Sequence, residues 1–200
     1  MRSELRQQSA TTPFQALPLG EGGMRRILVW TTTPWTLVSN AALAVKSDLE
    51  YVEVVRRAGE DKRSLILAEA RVPAVLGGDW ADRWDVRTRM KGSELVGLQY
   101  TRPLDWVAYP AHGKHEMIVA EEFVTAEDGS GVVHMSPAFG ADDYAAGQRH
   151  DLAFLQPNYI FFRHGKTLPQ AARAARKREA GLVLEYFLSP DQPVAVAGDR

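Results

Sequence analysis

Short apolar runs of strand length, each stopped by a turn former, constrain this chain more than any other feature. Ile27-Leu28-Val29-Trp30 is apolar and β-branched and reads as a buried strand. It runs into Thr31-Thr32-Thr33-Pro34-Trp35-Thr36. Pro34 has no amide to donate and pushes Thr33 away from helical geometry, so the strand must end or bend there. Ala42–Val45, Tyr51–Arg56, Leu65–Ala68 and Met117–Ala120 are further strand candidates. Gly131–His134 is another, after the turn Glu127-Asp128-Gly129-Ser130. The polar segment Ala58–Arg63 separates two of these runs as a hairpin connection would. Helical patterning is sparse. It covers Glu69–Leu76 before Gly77-Gly78, Ala141–His150 with acids at its start and bases at its end, and the Ala/Arg-rich stretch Pro169–Ala180. Trp80–Tyr109 reads as turns and single aromatics, and Leu182–Phe187 as a candidate last strand. Many short strands with few helical periods predict a mostly β fold, a barrel or compact sheet with peripheral helices.

Composition sets outer limits. In 200 residues that are 45% hydrophobic, a sizeable core forms without staples. There is no cysteine, which rules out disulfides and thiolate zinc sites and makes a cytoplasmic protein the simplest reading. Met1–Ala10 is polar and lacks the apolar centre of a signal peptide. No apolar run reaches the roughly 18 residues of a membrane span. Residues 1–23 are expected to be a poorly ordered lead-in. The net charge of −1 at pH 7 is not the basic balance that nucleic-acid binders often carry. From Arg163 to Arg178, however, six Lys or Arg occur with no Asp or Glu. Such a block suits either phosphate contact or a solvated helix face.

Three clusters are candidates for chemistry. The first is the threonine bend, whose hydroxyls each offer one donor and two acceptors for a water or a sugar. Threonine also favours strands, and Thr-Pro is common at turns, so the bend is equally a structural element. The second is Gly129-Ser130-Gly131-Val132-Val133-His134 followed by Asp142-Asp143. A strand delivering an imidazole and a helix start delivering carboxylates are able to hold an ammonium or orient water. The bland alternative is a satisfied core histidine and helix-start aspartates. The third is His112-Gly113-Lys114-His115, a loop-like block from which no metal site is expected. A phosphate loop and a Gly-x-Ser-x-Gly elbow are both missing from the sequence.

Taken together, the first two clusters resemble the editing insertion of class Ia aminoacyl-tRNA synthetases. The resemblance rests on Trp30-Thr31-Thr32-Thr33-Pro34-Trp35-Thr36-Leu37 with Ser39-Asn40-Ala41-Ala42-Leu43-Ala44-Val45. It continues in Asp128-Gly129-Ser130-Gly131-Val132-Val133-His134 and Pro137-Ala138-Phe139-Gly140-Ala141-Asp142-Asp143-Tyr144. Thr33-Pro34-Trp35 and Val133-His134 are similar to the isoleucyl pattern within the valyl, isoleucyl and leucyl group. The match covers Ile27–Leu152. It implies the partly open β-barrel of that family, with the editing domain at 24–157. Residues 158–200 would be a divergent basic helical tail or the remainder of the domain.

The resemblance implies a function: post-transfer editing by hydrolysis of misacylated tRNA, chiefly valyl-tRNA(Ile). A missing methylene allows only about 150-fold discrimination, a figure established for the isoleucyl enzyme itself, so a second site removes the smaller product. It implies roles as well. Asp143 would hold the α-ammonium, and His134 would wall out isoleucine. Thr31, Thr32, Thr33 and Thr36 would bind the terminal adenosine and position water, with Trp35 beside the adenosine. Arg173, Arg176, Lys177 and Arg178 are candidates for tRNA contact. Editing would need no metal and no cofactor. ATP and magnesium belong to the absent catalytic body, whose Lys-Met-Ser-Lys-Ser signature the chain lacks. The expected partners are the 3′ end of tRNA(Ile) and that synthetase body, with the chain itself monomeric. The competing reading is an inert tRNA-binding or structural fragment.

Overall fold

A computed structural model describes residues 25–57, 64–104, 107–156 and 182–188, with backbone alone at 34, 35 and 182–188. The lead-in and the basic stretch with Arg173, Arg176, Lys177 and Arg178 lie outside the described residues.

The strands are β1 (Arg25–Thr31), β2 (Ala42–Val45), β3 (Glu50–Arg56), β4 (Ser64–Ala68), β5 (Trp84–Lys91), β6 (Tyr100–Thr101), β7 (Met117–Ala120), β8 (Val133–Met135) and β9 (Leu182–Leu188). They form one sheet in the order β5-β3-β4-β1-β8-β2-β7, with β9 pairing β1 and β6. The fold is mostly β, with the sheet curled into a half-open barrel. Alternation along the strands decides what faces inward. Ile27, Val29, Leu43, Val45, Tyr51 and Ile66 point into the main core. Leu28, Val52, Val54, Leu65 and Leu67 point the other way, under α1 (Val72–Leu76) and α2 (Trp80–Arg83). Ala42 and Ala44 lie on a third face with Ala146 of α4 (Ala141–His150), the helix that follows the single turn α3 (Gly92–Leu95).

Two expectations need correction. Trp80–Tyr109 is not simply turns, because it contains the eight-residue β5, antiparallel to β3. The strand alternates Trp84, Val86, Thr88 and Met90 with Asp85, Arg87, Arg89 and Lys91. That is the pattern of a sheet edge with one wet face. The strand expected at Gly131–His134 begins only at Val133. Gly131 has φ +74, and a Cβ there would sit 2.3 Å from the Ala68 Cβ. The turn therefore runs two residues further before extended geometry sets in. A third adjustment is small: Glu69–Leu76 divides into a 3₁₀ turn, Glu69–Arg71, and α1.

Candidate active site

The site forms where β1 ends. Trp30 pairs with Val133 of β8, so the chain after Trp30 is delivered beside the next residue, His134. Pro34 starts a 3₁₀ turn, Pro34–Ser39, in which proline's missing amide costs nothing. The turn is closed by the Thr36 amide on the Thr33 carbonyl at 3.0 Å. This folds the threonine hydroxyls together. Thr31 and Thr33 Oγ1 are 3.3 Å apart, Thr33 and Thr36 Oγ1 are 3.3 Å apart, and Thr36 Oγ1 donates to the Thr33 carbonyl at 2.8 Å.

His134 closes the cluster from β8. Its Nε2 is 2.9 Å from Thr36 Oγ1, and its Nδ1 is 2.8 Å from Asn40 Nδ2. The Asn40 amide is oriented by its neighbours: Nδ2 also donates to the Ala42 carbonyl at 3.0 Å, and Oδ1 accepts from the Tyr100 hydroxyl. Asn40 therefore donates to Nδ1, and the neutral ring carries its proton on Nε2, facing Thr36. Burial alone pushes the His134 pKa down to about 4, so the ring is neutral at ordinary pH. With both nitrogens engaged, it is a fixed polar wall rather than a free base. Tyr109 adds a donor to the Asn40 carbonyl at 2.9 Å, and its ring stacks on His115 at 3.8 Å and under Arg102 at 4.0 Å. The loop block around His115 thus braces the site from behind.

Asp143 enters from the first turn of α4. Its Oδ2 accepts the Ser136 amide at 2.7 Å, and Ser136 Oγ donates to the Ser39 carbonyl at 3.1 Å. The carboxylate is tied in this way to both β8 and the threonine turn. Partial burial raises its pKa, the Ser136 amide opposes the rise, and Asp142 adds to it. Oδ1 makes no hydrogen bond among the described residues, which leaves it open to a cationic ligand.

Of the predicted site residues, Thr31, Thr33, Thr36 and His134 form one relay, with Asp143 joined through Ser136. Thr32 is exposed, and no side-chain hydrogen bond among the described residues links it to the relay. Trp35 lies on the turn, but its side chain falls outside the described residues. Asn40, Tyr100, Tyr109 and Ser136 were missed as site residues. Asn40 had a signal: it stands in Ser39–Val45, one of the stretches that carry the resemblance, as a lone amide before an apolar run. A surface depression lined in part by Tyr144, Gly147, Leu152 and Phe154 holds none of the predicted residues.

The geometry is that of a hydroxyl cluster closed by a neutral imidazole and joined to a carboxylate through Ser136. The chain superposes on the P. falciparum cytosolic leucyl-tRNA synthetase editing domain with a TM-score of 0.52 at 12% identity, covering 88% of this chain and 66% of that one. A shortened form of that domain gives 0.50 at 14% identity, over 72% and 58%. At such identity the likeness is one of fold. Sequence narrows it. The chain is 40% identical over 157 residues to the isoleucine–tRNA ligase of Thermobifida fusca, covering 75% of this chain and 14% of that protein. For Streptomyces avermitilis the values are 42% over 145 residues, 72% and 13%, and for Bdellovibrio bacteriovorus 43% over 131 residues, 66% and 12%. No protein-family profile matches the chain. The chain is thus a homologue of a segment of isoleucine–tRNA ligases, with the fold of a leucyl-tRNA synthetase editing domain. It spans about one seventh of the length of the ligases it matches.

Proposed function

We propose that this domain hydrolyses the ester of misacylated tRNA, chiefly valyl-tRNA(Ile). The observation that carries the reading is the continuous cluster Thr31–Thr33–Thr36–His134, joined to the half-buried Asp143 through Ser136. Asp143 Oδ1 would take the α-ammonium of the misattached amino acid in a charge-assisted bond. His134, held still by Asn40 and Thr36, would limit the side-chain space to valine. Thr31, Thr32, Thr33 and Thr36, with Trp35, would hold the terminal adenosine and a water. Attack of that water on the ester carbonyl breaks the bond to the ribose oxygen and yields valine and free tRNA. Positioning carries the rate, with no metal or cofactor required. ATP and magnesium would serve only the parent enzyme's catalytic body.

In this reading the chain acts in the cytoplasm as a monomer, on the 3′ end of tRNA(Ile). The synthetase body, and Arg173, Arg176, Lys177 and Arg178, supply the grip on the tRNA. No helix among the described residues is long and apolar enough to cross a membrane. A second reading, an inert tRNA-binding or structural fragment, rests on the basic block from Arg163 to Arg178, which suits phosphate contact without any catalytic group. Incubation of folded protein with valyl-tRNA(Ile) and isoleucyl-tRNA(Ile) separates the two. Faster loss of the valyl ester supports editing. Equal background loss of both, with salt-dependent tRNA binding, supports the fragment.

A further inference from the structure

Helix α4 carries Asp143, yet little apolar area holds it. Its buried residues are Ala146 and Gly147, and its N-terminus has no side-chain cap. Backbone bonds of Lys114 to Asp151 and Ala153 hold the chain that follows it, and side-chain contacts hold its two ends. At the first turn the Ser136 amide donates to Asp143 Oδ2 at 2.7 Å. At the last turn Glu121 takes two partners on separate oxygens. Arg149 Nη2 lies 2.6 Å from Oε2, and His150 Nε2 lies 2.8 Å from Oε1.

Glu121 is a fixed point. It is buried, directly follows β7, and its amide donates to the Val45 carbonyl of β2 at 2.9 Å. A carboxylate this buried persists only when paired, and both its oxygens are paired here. Asp143 lies six residues from Arg149, about 9 Å along the helix axis at the usual rise. A change of tilt at one end therefore displaces the other by a comparable amount.

We propose that Glu121 is a positioning residue for Asp143, clamping the far end of α4 so that the Asp143 carboxylate meets the Ser136 amide and presents Oδ1 to the ligand. The catalytic part of this inference rests on the editing function proposed above; the geometric part does not.

The test uses the full chain with Glu121→Gln and, from the exposed side of the clamp, Arg149→Gln. Asp143→Ala gives the reference for a lost carboxylate. Glu122→Gln is the control, since Glu122 is largely exposed and pairs with Lys46 at 3.6 Å. The first readout is the Ser136 amide proton in NMR spectra. Both clamp variants should move it toward its position in Asp143→Ala, with amides of β3 and β4 unmoved. The second is valyl-tRNA(Ile) hydrolysis, where KM should rise roughly fivefold to tenfold with kcat within about twofold. A Ser136 amide that stays put in Arg149→Gln and in any folded Glu121→Gln overturns the proposal. So does a fall in kcat at constant KM. Wild-type protein without valine-specific hydrolysis would refute the editing function while the amide readout still decides the clamp.

Discussion

His134 Nε2 and Thr36 Oγ1 lie 2.9 Å apart, and the two residues are 98 positions apart in the chain. With Asn40 donating to Nδ1, the proton on Nε2 points at the threonine, whose hydroxyl in turn donates to the Thr33 carbonyl. Donation runs one way from Asn40 through His134 and Thr36 to the Thr33 carbonyl.

Thr36→Val tests that chain directly. The variant keeps the shape and removes the acceptor, leaving a buried Nε2–H without a partner. Unfolding in urea should show a loss of about 1–3 kcal/mol. A change below about 0.5 kcal/mol would mean that the bond contributes nothing to the fold.

His134 also gives the fold a pH dependence of known sign. Its pKa is 6.5 when unfolded and about 4 when folded. Above the unfolded value its contribution is fully present. As pH falls from 6.5 toward 4, only the unfolded chain gains the proton, so stability is lost, on the order of 3 kcal/mol in all. The raised carboxyl of Asp143 acts in the opposite sense, since the folded state takes up that proton first. The comparison with His134→Gln isolates the histidine. Wild type should lose stability more steeply over this range, and parallel curves would contradict the buried neutral ring.

Asp143→Asn keeps an oxygen for the Ser136 amide but removes the charge. Folding should be nearly unchanged. Valyl-tRNA(Ile) hydrolysis should fall roughly 10- to 150-fold in kcat/KM, the worth of one charge-assisted hydrogen bond. Acidification should mimic the variant at a pH above the ordinary aspartate value of 3.8, because the carboxyl is raised. Hydrolysis at wild-type rate by Asp143→Asn would remove the residue from the site.

Gly131→Ala probes the turn before β8. The new methyl meets the Ala68 Cβ at 2.3 Å, at a φ of +74 that L-residues avoid. Strain and overpacking together should cost about 2–4 kcal/mol in thermal or urea unfolding. Near-wild-type stability would show that the turn relaxes freely.

Much of this protein was legible as sequence because its rules are local. Ile27–Trp30 had to be a strand, Pro34 had to end it, and Ala141–His150 had to start with acids and end with bases. The threonine bend and the His134–Asp143 segment, taken as a pair, carried the family. Even β5 was written in the alternation of Trp84 to Lys91, and single aromatics among charges obscured it.

Only the tertiary structure decided what those residues do to one another. Sheet pairing of Trp30 with Val133 brought Thr36 to His134, and Tyr100 reached Asn40 across 60 positions. The donor direction through His134, the open oxygen of Asp143 and the clamp at Glu121 all depend on such distant pairings. A sequence states which groups are available. Burial and hydrogen-bond geometry decide which proton sits where, because each buried polar group must take whichever partner the folded sheet places within reach.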